Sequence, residues 1–112
     1  MRRYWTAVLI IVFFLVPVLL MGLTSNGDPE TGKAVFLKRC KMCHGVDGNG
    51  NPAMARMLGV EFKAMSSDHV QDLSDDTIRE TVLKGKGKMA KVRKVTDQDI
   101  THVIAYLRTL KK

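Results

Sequence analysis

CKMCHG, residues 40–45, decides how the rest of the chain is read. Two cysteines three apart, with a histidine directly after the second, can hold haem covalently, contribute to a zinc site or exchange disulfides. These chemistries need different surroundings, so the flanking sequence has to choose among them.

Upstream, Asp28 and Pro29 form a helix-start signal, an N-cap followed by proline at the first helical position. Gly32, Val35, Phe36 and Cys40 then fall on one side of a helix expected to break near Gly45. Downstream, GVDGNGNP (residues 45–52) carries three glycines and reads as a turn-rich loop. A short helical piece follows at 53–58. The next helix has Ser74 as N-cap, carries Ile78, Val82 and Leu83, and stops at Gly85. KGKGKMAKVRK (residues 84–94) is a second loop. The last helix opens at Thr96, with Asp99 three residues on as a capping-box partner. On that helix Val103, Ile104, Leu107 and Leu110 lie within roughly 80° of Ile100, whereas His102 points about 160° away and is expected to face water. Nowhere do β-branched or aromatic residues alternate with polar ones over four or more positions, so the domain reads as all-α.

Disulfide-exchange motifs sit at a helix start after a strand, and here the motif ends a helix with no strand in sight. A structural zinc needs four ligands. Cys40, Cys43 and His44 supply three, but His69 lies in a polar stretch and His102 on the outer face. Covalent haem fits each feature. Two thiols one helical turn apart can add to the two vinyl groups of a porphyrin edge, and the adjoining histidine can ligate the iron. Attachment also consumes both thiols, which suits a two-cysteine protein in an oxidising compartment. A large apolar ring would further supply the core that a domain this small and poor in aromatics lacks.

A second axial ligand is sought among Met42, Met54, Met57, Met65 and Met89. Met42 lies between the cysteines and cannot reach the opposite face. Met54, Met57 and Met65 sit in or near apolar segments, where methionine is ordinary core filler. Met89 stands alone in a Gly- and Lys-rich loop that offers no reason for burial. It is the expected ligand, with Met65 second.

The 112 residues suffice for one domain. Residues 5–23, WTAVLIIVFFLVPVLLMGL, would span roughly 28 Å as a helix, close to a bilayer's hydrocarbon core. Residues 1–25 are therefore expected to be a signal-anchor or signal peptide, leaving 26–112 as the domain. Arg2 and Arg3 precede the span and no Lys or Arg follows before Lys33, which keeps the N-terminus cytoplasmic and the domain outside. TSNGD (residues 24–28) reads as a short flexible link. After Ser25 there are 16 Lys/Arg against 11 Asp/Glu, a moderately basic balance. Lys84, Lys86, Lys88, Lys91, Arg93 and Lys94 form an uninterrupted basic run, and Asp68, Asp72, Asp75, Asp76 and Glu80 an acidic one. The basic loop is suited to steering the domain onto an acidic partner surface. Without interleaved aromatics and outside the cytoplasm, it does not suggest nucleic acid.

From about Glu30 to Leu110 the chain resembles the class I monohaem c-type cytochromes, in particular the small bacterial ones. The likeness rests on Gly32, Phe36 and Cys40 spaced by four, CKMCHG followed by VDGNGNPAM, then GKGKM and ITHVIAYLRTL. It implies an all-α, cytochrome c-like fold of three to four short helices around one haem, preceded here by an N-terminal transmembrane or signal helix. It further implies that Gly32 and Phe36 meet Val103 and Tyr106 where the terminal helices cross. Thioethers would form at Cys40 and Cys43, with His44 and Met89 as axial ligands. The Pro52 carbonyl would receive the other ring N–H of His44. Ala90 stands where the family commonly has proline after the ligand methionine. The function so implied is electron transfer without catalysis, through one covalently attached haem c. It would take place on the periplasmic side of a bacterial inner membrane, either as a carrier or as a cytochrome subunit of a larger membrane oxidoreductase.

Overall fold

The computed structural model describes Tyr4 and residues 26–112, so the anchor or signal expected at 1–25 lies, Tyr4 apart, outside the described residues. No described helix is long and apolar enough to cross a membrane. From residue 26 onward the order is α1 (Pro29–Arg39), α2 (Lys41–His44), α3 (Pro52–Leu58), α4 (Asp68–Gln71), α5 (Asp75–Lys84) and α6 (Asp97–Thr109). No strand accompanies them among the described residues, only an isolated antiparallel bridge between Lys86 and Met89.

The caps fix where the helices begin. The Asp28 carboxylate accepts the Thr31 N–H at 2.9 Å with Pro29 in the first turn, and Ser74 Oγ accepts the Thr77 N–H at 3.1 Å. Thr96 and Asp99 form the full reciprocal box, at 3.0 and 2.9 Å. Such caps satisfy amide groups that a helix start leaves without partners. Gly85 ends α5 at φ +79°, where a Cβ would stand 2.6 Å from the Met89 carbonyl oxygen, so only glycine fits.

Helices α1 and α6 cross in close contact. Gly32 lies directly against the His102 carbonyl, in space that a Cβ would occupy. One turn on, Phe36 is 1 % exposed and its ring meets Tyr106 at 5.5 Å. Around this pair pack Ile78, Ile100, Val103, Ile104 and Leu107. Each such side chain contributes roughly 1.5–3 kcal/mol on burial. The Gly32/Phe36 meeting with Val103 and Tyr106 is thus present in the core.

Four expectations change. The first helix stops at Arg39 rather than running to Gly45, because Cys40 takes φ −119° and α2 restarts as a separate turn. Part of the link at 24–28 is docked: Gly27 abuts the Thr101 carbonyl, and the Asp28 N–H donates to His102 Nδ1 at 2.7 Å. His102 is therefore half-buried at the helix crossing instead of facing water. Helix α4 was not foreseen, since DHVQ carries no apolar period. It is held by Gln71, whose buried Nε2 donates to the carbonyls of Met65 (2.7 Å) and Leu107 (2.9 Å).

Gly32→Ala should force the crossing helices apart. We expect a loss of about 3 kcal/mol and a fall in the thermal midpoint on the order of 15 °C, read by circular dichroism. An unchanged midpoint would mean that the contact is slack.

Candidate haem site

The site is built on the turn that leaves α1. Cys40 N–H donates to the Phe36 carbonyl at 2.8 Å, and His44 N–H to the Cys40 carbonyl at 2.9 Å. This coils Cys40, Cys43 and His44 into one helical turn. Both thiols are free and half-buried. Burial, and secondarily the neighbouring Cys43, pushes the Cys40 thiol up to about 11. A thiol held in its neutral form is a poor nucleophile for disulfide exchange, so the surroundings of CKMCHG oppose that chemistry.

His44 lies between two aromatic rings, Phe36 at 6.5 Å and Phe62 at 5.6 Å, the latter meeting it edge-on. Burial holds its imidazole below the ordinary histidine value. It is thus neutral near pH 7, the form that ligates a metal. Its Nδ1 is buried and makes no hydrogen bond. The expected bond to the Pro52 carbonyl is therefore not made in this structure. Pro52 opens α3 at its first position.

The turn is backed by the loop behind it. Gly50 N–H donates to the His44 carbonyl at 2.7 Å, and Asn51 N–H to the Cys43 carbonyl at 2.8 Å. Gly50 also lets Phe62 come close, since a Cβ there would stand 2.6 Å from the Phe62 Cβ. Phe62 and Asn51 are the site residues that sequence reading passed over. GNGNP was visible as a loop, but nothing in its spacing showed which carbonyls it would bind.

The methionines separate by environment. Met42 and Met57 are 71 % and 69 % exposed, while Met65 packs against the hydrophobic core. Met89 is half-buried and closes a tight turn in which Lys86 and Met89 exchange two backbone bonds of 2.9 Å. Two ties hold this loop. Val92 N–H donates to the Val82 carbonyl on α5 at 2.9 Å, and Lys88 Nζ donates to the Leu58 carbonyl at the end of α3. Met89 thus sits on a second loop, joined to the CKMCHG turn through α3.

Among the described residues, no group of three or more His, Cys, Asp or Glu is placed to hold a metal ion. His69 is exposed and His102 is engaged with Asp28, so neither completes a zinc site. The residues present do fit haem. A pair of free thiols one turn apart adjoins a buried, neutral imidazole, which is the donor set that covalent haem requires. A cleft of about 200 Å³ lies elsewhere, between residues 26–27 and helices α5 and α6. Its two arginines are spent on bracing the fold: Arg79 binds Asp97 and Thr101, and Arg108 binds Gln71, Leu73 and Asp75.

The comparisons with known proteins agree with this geometry. The family described as cytochrome c oxidase, cbb3-type, subunit III matches residues 27–107. The curated cytochrome c-type cyt cy of Rhodobacter capsulatus is 30 % identical over 102 residues, covering 78 % of this chain and 51 % of that protein. The chain therefore spans about half the length of this relative. Among solved structures, the KustC0563 c-type cytochrome superposes with a TM-score of 0.60 at 30 % identity, covering 72 % of this chain and 98 % of its own. A point mutant of it gives 0.57 at the same identity. With the matched segment running through the helix crossing, the CKMCHG turn and the Met89 loop, the chain belongs to the cbb3-type subunit III family of c-type cytochromes, whose cofactor is covalently bound haem c.

Proposed function

We propose that the chain is a single-haem electron carrier rather than an enzyme, working on the periplasmic side of a bacterial inner membrane. The observation that carries this reading is the coiling of Cys40, Cys43 and His44 into one half-buried turn, with both thiols free and the imidazole neutral. When bound, haem c supplies a one-electron centre whose iron alternates between ferric and ferrous states. Cys40 and Cys43 hold it through thioethers, which leaves no thiol for disulfide chemistry. His44 presents a neutral nitrogen to the iron, and Phe36 and Phe62 restrict its ring. Met89, on its pinned loop, would supply a thioether sulfur to the iron. Held by two protein ligands in this way, the iron would have no position open for substrate, and a methionine ligand would favour the ferrous state.

The basic loop carries the proposed ligand. Lys84 is paired with Glu80 at 2.7 Å and Lys88 is tied to Leu58, while Lys86, Lys91, Arg93 and Lys94 are exposed. Their charges suit brief docking onto redox proteins with acidic faces. The apolar run at 5–23 would keep the domain at the membrane as an anchor, or be removed as a signal. A second reading, a cytochrome subunit of a larger membrane oxidoreductase, is favoured by the description of the matching family. Partners that stay bound through detergent purification would support it.

Met89→Ala should leave haem attached, lower the reduction potential and open the iron to added imidazole. An unchanged potential and spectrum would move the ligand assignment to Met65. Electron exchange with an acidic redox protein should slow as salt rises from about 0.01 to 0.15 M, over which the screening length falls from roughly 30 to 8 Å. Rates indifferent to salt would remove the basic loop from docking.

A further inference from the structure

Asn51 uses every polar group it has. Its Oδ1 accepts the N–H groups of Ala53 (3.0 Å) and Met54 (3.4 Å), capping α3. Its Nδ2 donates to the Met42 carbonyl at 3.0 Å. Its backbone N–H takes the Cys43 carbonyl at 2.8 Å, and Gly50 N–H takes that of His44 at 2.7 Å. Three successive carbonyls of the attachment turn are thus held by two adjacent residues. The far end of α3 is gripped in turn, where Lys88 binds the Leu58 carbonyl beside Met89. Helix α3 is a strut of seven residues, about 10 Å long, between the turn carrying His44 and the loop carrying Met89. Asn51 fastens it to the turn.

We propose that Asn51 is a positioning residue for the haem ligands, acting through the Met42 and Cys43 carbonyls to fix the CKMCHG turn, and with it the His44 ring, relative to α3. This rests on the assignment of Cys40, Cys43 and His44 to haem. An asparagine is needed because the position must accept on one side and donate on the other. Serine and aspartate cap a helix start about as well, but neither carries an N–H₂ donor. His44 Nδ1 makes no hydrogen bond, so the ring's orientation depends on the backbone that bears it and on the two phenylalanines.

That difference makes the test selective. Asn51→Ser and Asn51→Asp both keep a cap on α3 and both lose the donor to Met42, one without added charge and one with it. The full chain would be produced in cells that mature c-type cytochromes. Haem staining of the denatured protein comes first, followed by thermal unfolding and the paramagnetic NMR shifts of the ferric haem methyls. Those shifts report the orientation of the axial ligand planes. We expect both variants to retain haem, with midpoints within about 5 °C of the parent because the cap survives. We also expect their haem-methyl resonances to be displaced by many linewidths or split into two sets. Resonances superimposable on the parent's in both variants would overturn the proposal and leave Asn51 as a helix cap only. Parent protein without covalent haem would overturn it together with the carrier reading. Haem lost from both variants while the parent keeps it would show a role in attachment rather than orientation, and would also overturn the proposal.

Discussion

The contact on which the structure depends is the one between Gly32 and the carbonyl of His102. Only a residue without a side chain lets α1 settle that closely on α6. This approach lets Phe36, one turn later, reach Tyr106, and Phe36 also faces His44. The crossing therefore does more than close a hydrophobic core. It fixes the height and direction at which the chain leaves α1, and so where the CKMCHG turn lies. Asp28 and Gly27, docked on the same helix, extend that registration back towards the N-terminal segment.

From the crossing outward, the site is held mainly by backbone carbonyls. The attachment turn gives its carbonyls to Gly50 and Asn51, α3 gives its last to Lys88, and α5 gives one to Val92. Such bracing would serve the proposed carrier role, in which the haem ligands should stay in place as the iron changes charge. Charge is distributed along the same path. Helix α5 begins at Asp75 and Asp76 and ends at Lys84, so it runs from the acidic stretch to the basic loop. The Met89 loop follows the basic end of this helix.

Much of this was legible in the chain because it depends on local signals. Asp28-Pro29, Ser74 and the Thr96/Asp99 box announce helix starts through the polar side chains that caps require. The 3.6-residue period marked Ile100, Val103, Ile104 and Leu107 as a face, and Gly32 was recognisable through its spacing from Phe36 and Cys40. What escaped depends on contacts distant in sequence. Phe62 meets His44 only because Gly50 admits it. His102 looked outward on the helical wheel, yet its ring accepts an N–H from a residue 74 positions away. Pro52 stands after the motif where the resemblance places the partner of His44, yet His44 Nδ1 makes no hydrogen bond here. A carbonyl is present at every residue, so no letter of the sequence shows which one will be used.

The central claim is that Cys40 and Cys43 join a haem to this chain. The most direct measurement is a haem stain of the protein after full denaturation on a gel, from cells competent in c-type cytochrome maturation. The account predicts haem that migrates with the denatured chain, because thioether bonds survive unfolding. Haem released on denaturation, or none bound at all, would contradict it.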